Sequence, residues 1–121
     1  APRAGGTATW AEAAALPLCL LTRDMRNRRI LDEIFQRAVG AAPVPAMETN
    51  AFTAALAQVA GGVAATIAPA LLVEHVPVAR NAVRLDLTDP EVATTAKNLP
   101  LRIAAIYIGS EFLNVYFSIT N

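Results

Sequence analysis

The segment Leu18–Gly40, LCLLTRDMRNRRILDEIFQRAVG, joins a short apolar run to a charged, amphipathic stretch, and this junction constrains the fold most. Leu18 to Leu21 is continuous and apolar, as a strand covered on both faces has to be. After it, Met25, Ile30, Leu31, Ile34, Phe35 and Ala38 fall near helical spacing and form a core stripe, with Arg26, Arg29, Asp32, Glu33 and Arg37 on much of the other face. Asp24 is expected to cap this helix and Gly40 to end it. A two-sided strand feeding an amphipathic helix is the unit from which α/β layers are built.

The unit recurs along the chain. "TWAE" at Thr9–Glu12 fits a capping box, in which the Thr9 hydroxyl accepts from the third helical amide and Glu12 reaches back to the Thr9 amide. The helix it opens is short and stops before Pro17. "PVPAMETN" is strand-like, and Asn50 or Thr49 is expected to cap a helix from Ala51 to Ala60 with Phe52, Leu56 and Val59 inward. Gly61–Gly62 should end it. "VAATIAP" reads as another strand, with Pro69 opening a helical turn through Leu72, and "VRLDL" alternates as a half-exposed strand does. The predicted class is α/β, a mixed, mostly parallel sheet flanked by helices. Residues 1–8 read as a frayed leader. Residues 101–121 read as a β-hairpin-like tail, "LRIAAIYI" and "FLNVYFSIT" separated by "GSE", that completes the sheet or pairs with another copy of the chain.

With 121 residues the chain is one domain's worth and can bury about two-thirds of its unfolded surface. Its 55% hydrophobic and 17% charged residues indicate a packed core rather than disorder. Five arginines lie between Arg23 and Arg37, which raises the question of nucleic acid. The ten basic and ten acidic side chains cancel, and Asp32 and Glu33 sit within a turn of Arg28, Arg29 and Arg37. A solvated charged face is therefore expected, not a DNA-reading helix. The longest apolar run, Val63–Val73, has 11 residues and contains Pro69, where a membrane span needs about 20. One cysteine and one histidine exclude a disulfide framework and argue against a zinc site. The chain begins at Ala1 without a signal-like segment, so it reads as a piece of something longer, and a cytoplasmic location is expected.

Taken together, "TWAEAAALPLCLLTRDMRNRRILDEIF", "ETNAFTAALAQVAGGVAATIAPALL" and "VRLDLTDPEVATT" resemble the second regulatory subdomain of LysR-type transcriptional regulators, from about Thr9 to Thr95. The resemblance implies a periplasmic-binding-protein-like, effector-binding subdomain over residues 9–100, in a bacterial cytoplasmic regulator. It implies a small, often anionic, organic effector held in a cleft between two subdomains. The family's winged helix-turn-helix is not in this sequence, so the chain is not expected to bind an operator by itself. Most of the first regulatory subdomain is missing as well. "PLRIAAIYIGSEFL" is similar to the strand that opens that first subdomain, yet follows the second here, which indicates either a rearranged or chimeric chain or a chance match.

Residue chemistry points to the same region. Thr22-Arg23-Asp24-Met25 and Glu48-Thr49-Asn50 are strand-to-helix junctions at adjacent strand ends, where unpaired amides and the helix dipole favour an anion. Thr22, Thr49 and Asn50 offer hydrogen bonds and Arg23 a charge. Capping alone would also explain Thr49 and Asn50, and ending a strand would explain Thr22. Thr66, on "VAATIAP", stands where the family often places cleft residues, and a satisfied core threonine is the competing reading. Cys19 reads as inert core, Trp10 as packing, and the Glu74–His75 pair as surface. Asp86 and Asp89 offer no defensible acid–base pairing. No catalytic constellation, cofactor motif or metal ligand set appears, so no enzyme is expected. The competing function is an engineered or isolated scaffold that only folds and self-associates, as a homodimer through a sheet edge or the tail.

Overall fold

In the computed structural model, which describes residues 7–69, 82–88, 93–96, 99–102 and 104–109, strands and helices alternate as the sequence pattern requires. β1 (Thr7–Thr9) leads into α1 (Trp10–Ala14), β2 (Cys19–Leu21) into α2 (Arg26–Val39), and β3 (Met47–Thr49) into α3 (Phe52–Ala60). Five strands follow: β4 (Thr66–Pro69), β5 (Ala82–Thr88), β6 (Ala93–Ala96), β7 (Leu99–Arg102) and β8 (Ala104–Gly109).

β1, β5, β8 and β4 hydrogen-bond in that order, with β1 parallel to β5 and β8 antiparallel to both β5 and β4. β2 and β3 form a parallel pair, and a parallel bridge from Leu18 to Ala65 attaches that pair to the β4 side. The Cys19 amide donates to the Ala65 carbonyl at 2.8 Å, and the Ala65 amide to the Pro17 carbonyl at 2.9 Å. The strands thus run β3-β2-β4-β8-β5-β1 across one mixed sheet, while β6 and β7 pair separately and antiparallel.

β2 is buried along its whole length because helices cover both of its faces. On one side Leu18 and Leu20 join Trp10, Ala13, Leu31, Ile34 and Phe35 from α1 and α2, with Ile67 from β4 and Leu87 from β5. Trp10 meets Phe35 edge-on, centroids 5.0 Å apart, a geometry that adds roughly 1 kcal/mol to simple area burial. On the other side Cys19 packs with Ala55 of α3, Ala64 and Met47. The alternation of side chains along three residues of β2 therefore sets a helix, sheet, helix layering.

The ends of the helices show where local chemistry agrees with the pattern and where it does not. The Thr9–Glu12 capping box is complete, with the Glu12 amide donating to Thr9 Oγ1 at 3.0 Å and the Thr9 amide to Glu12 Oε1 at 2.9 Å. Gly40 ends α2 in the left-handed region at φ 91°, a conformation that suits glycine. Asp24, however, is not the cap of α2. The Asp24 carboxylate takes the Thr22 hydroxyl, the Met25 amide donates to the Thr22 carbonyl at 3.0 Å, and this turn delays the helix until Arg26. Neither Asn50 nor Thr49 caps α3: Thr49 Oγ1 accepts from the Ala51 amide at 3.4 Å, Asn50 stays exposed, and Ala51 is the capping residue. Ala55 joins Leu56 and Val59 on the buried face of α3, and Phe52 is only half-buried.

Two further expectations are revised. Residues 7 and 8 belong to β1 rather than to a frayed leader, since Thr7 and Ala8 pair with Asp86 and Leu87. Pro69 ends β4 opposite Ala104, and the helical turn expected from it through Leu72 lies outside the described residues. The run "LRIAAIYI" is divided between β7 and β8, which belong to different sheets. The second half of the expected hairpin, residues 112–120, lies outside the described residues, as do Leu72, Glu74, His75 and Asp89.

Candidate functional site

β2 and β3 end together, in register Leu20↔Glu48 and Leu21↔Thr49, and each then turns into a helix. The Thr22 amide donates to the Thr49 carbonyl at 2.9 Å and joins the two junctions directly. Among the described residues no side chain caps the start of α2 or α3, so both helix starts present N–H groups without an intrahelical acceptor. Two such starts side by side at the carboxyl ends of parallel strands are the physical setting for an anion.

Four of the five candidate residues from the sequence gather here. Thr22 is half-buried, and its hydroxyl bonds the Asp24 carboxylate, which that bond above all holds below the usual carboxylate range, with the Asp24 backbone and the charge of Arg29 acting in the same direction. Arg23 is exposed. Thr49 is half-buried with its hydroxyl accepting from the Ala51 amide, and Asn50 is exposed with its side chain free of the helix cap. Arg29 folds back over the first junction, donating from Nη1 to the Asp24 carbonyl at 2.9 Å and, more weakly, to the Arg23 carbonyl at 3.5 Å. Thr66 stands apart. It is 1% exposed on β4, and its hydroxyl donates to the Cys19 carbonyl at 2.7 Å, so its proton already ties β4 to β2.

Sequence reasoning placed the arginines of α2 on a solvated face, and Arg28 does not belong there. Its side chain is 1% exposed and its guanidinium reaches three elements. Nη1 donates to the Leu21 carbonyl at 2.8 Å and to Glu48 Oε2 at 2.7 Å, while Nε donates to Asp32 Oδ1 at 3.0 Å and Oδ2 at 3.2 Å. Burial works against the charge of Arg28, but the bonds to Glu48 and Asp32 outweigh it and raise the guanidinium's pKa. One signal in the sequence points to this, and the packing of β3 supplies the other half. Arg28 stands three and seven residues before Leu31 and Phe35, on the buried stripe. In β3 Met47 faces the α3 side, so Glu48 alternates to the α2 side.

Around the two junctions the four arginines Arg23, Arg26, Arg28 and Arg29 stand against the three carboxylates Asp24, Asp32 and Glu48, which leaves one net positive charge, and the exposed cations are Arg23, Arg26 and Arg29. Among the described residues no three His, Cys, Asp or Glu side chains come together as a metal site. No helix among the described residues is long and apolar enough to cross a membrane. Cys19 is buried as a free thiol.

A family model described as the LysR substrate binding domain matches residues 1–112 of the chain. No curated relative and no solved structure matches it.

Proposed function

We propose a function from one premise: the chain belongs to the LysR substrate-binding domain family. It is the effector-sensing part of a bacterial, cytoplasmic LysR-type transcriptional regulator, corresponding to the second, periplasmic-binding-protein-like subdomain. The family match over residues 1–112 carries this reading. The location of the site is supported by the two uncapped helix starts at the ends of β2 and β3. The effector is a small organic anion. Its carboxylate would lie against the first-turn amides of α2 and α3, with Arg23 supplying charge and Thr22, Thr49 and Asn50 supplying hydrogen bonds. Thr66 acts from beneath, by holding β4 to β2, rather than by contact.

Binding would bias the closure of this subdomain against its partner subdomain, and that closure would reach the DNA-binding domains of the regulator. The differential affinity of the effector for the closed state sets the size of the response. The test is to titrate acetate, succinate and benzoate into isotopically labelled protein and follow the amide NMR shifts. Saturable shifts centred on residues 22–27 and 49–54 are expected, with Kd on the order of 1 mM for this single face of a cleft. Saturable shifts confined to other parts of the chain would overturn the site.

A further inference from the structure

We infer that Arg28 is the positioning residue of this site: without touching the bound anion, it fixes the geometry of both junctions that hold it. The inference rests on the effector reading above. Its basis is where the guanidinium's partners stand in the chain. The Leu21 carbonyl, bonded at 2.8 Å, immediately precedes Thr22 and Arg23, and the Glu48 carboxylate, bonded at 2.7 Å, immediately precedes Thr49 and Asn50. Each pair of candidate residues is therefore one peptide unit from an Arg28 anchor. The bonds to Asp32 hold the guanidinium itself on α2, so the strand ends and the helix start are fixed relative to one another.

A side chain 1% exposed offers no surface to a ligand, so its influence on binding has to pass through the backbone it holds. Glu48, 44% exposed, and Asp32, 26% exposed, can both return to water, which makes the arrangement an orienting device more than a source of stability. Arginine is required by its shape. A planar fork can serve Nε and Nη1 acceptors in different directions at once, whereas a lysine ammonium is a single point charge.

The test compares the full chain with Arg28→Lys and Glu48→Gln, and with Ile34→Val as a control that loosens the same core without touching the fork. Two readouts are taken well below the melting temperature of each variant: hydrogen exchange at the Thr22 amide, which donates to Thr49, and the affinity for acetate and succinate. Exchange at Thr22 is expected to accelerate about tenfold or more in Arg28→Lys and Glu48→Gln, and affinity to fall about tenfold, which corresponds to ~1.4 kcal/mol. Ile34→Val should match the wild type in both. Wild-type protection of Thr22 in both fork variants overturns the inference, and so does unchanged affinity in variants whose Thr22 amide is exposed. If the wild type binds neither acid, the effector reading fails at this site, while the Thr22 exchange still decides whether Arg28 holds the junctions. Should Arg28→Lys not fold, Glu48→Gln, altered at a half-exposed position, carries the same comparison.

Discussion

Two buried groups of β2 and its neighbour show how much a single residue can decide. Cys19 packs between Ala55, Ala64 and Met47, and burial pushes its thiol pKa up. A raised pKa means the folded chain holds the proton more tightly than the unfolded chain does. Stability is therefore complete below the ordinary thiol range and falls as pH rises from that range through the folded value. In native protein at neutral pH, Cys19 should react with iodoacetamide only through opening, at least tenfold more slowly than in urea, and mass spectrometry measures this directly. Labelling at the rate of the unfolded chain would show that the thiol is not shielded. Burial of Cys19 was legible in the sequence because an apolar run of four residues leaves no polar side for a thiol. The role of Arg28 was not. Charge argues for solvent, and only its position on the Leu31–Phe35 stripe argues against it. The bonds that resolve this conflict come from Leu21 and Glu48, 7 and 20 residues away in sequence.

At the scale of elements, α2 carries a conflict that its sequence already displays. Its first turn holds no acidic residue, and Arg26, Arg28 and Arg29 crowd the end of the helix where the dipole is positive. Arg28 is neutralised by Asp32 and Glu48, whereas Arg26 is exposed. Arg26→Glu should stabilise the chain by about 0.5 kcal/mol in thermal melts at low salt. The same change should weaken acetate binding, since it removes charge from the mouth of the site, and a gain in both would remove Arg26 from the effector reading. We propose that the arginines do not make α2 a DNA-reading helix. Glu33 lies 4.0 Å from Arg37 on the outer face, and the chain has no net charge. Labelled duplex at moderate salt should give no saturable binding, and a submicromolar complex weakened steeply by salt would reverse that expectation. The elements themselves were readable where periodicity or an apolar run was strong: α2, β2, and α3 with its Gly61–Gly62 stop. Their starts were misjudged at Asp24 and Asn50 because a threonine two or one residues earlier engages the local turn first. β1 was not readable, since three residues beside two glycines carry no pattern and its partner, β5, lies far along the chain.

Across the whole molecule, the sheet depends on a strand from near the end of the chain. β8 lies between β4 and β5, with Ala104–Tyr107 opposite Thr66–Pro69 and Ala105–Gly109 opposite Ala82–Asp86. β8 is the only link in the described sheet between the β3-β2-β4 side, which carries the candidate site, and the β5-β1 side. The core on the α1–α2 face crosses the same seam, because Ile67 of β4 and Leu87 of β5 belong to one cluster with Ala8, Trp10 and Phe35. Such long-range antiparallel pairing cannot be read from composition. "LRIAAIYI" announces strand, but nothing local says that its second half inserts between two others while its first half pairs with β6. Deleting residues 104–121 should therefore do more than shorten the sheet. It would leave β4 and β5 with unpaired edges and detach Leu87 and Ala8 from Ile67, and exposed edges of this kind pair with other chains. The truncated chain is expected to lose its cooperative thermal transition, or to lower its midpoint by more than about 10 °C, and to scatter light as an aggregate. Residues 7–69 keep the Trp10–Phe35 contact and the β2–β3 pair, so residual helical signal without a sharp melt is the expected form of the damage. A truncated monomer that keeps the full-length melting temperature would show that the two sides hold together without β8, and the central place of that strand in stability would have to be abandoned.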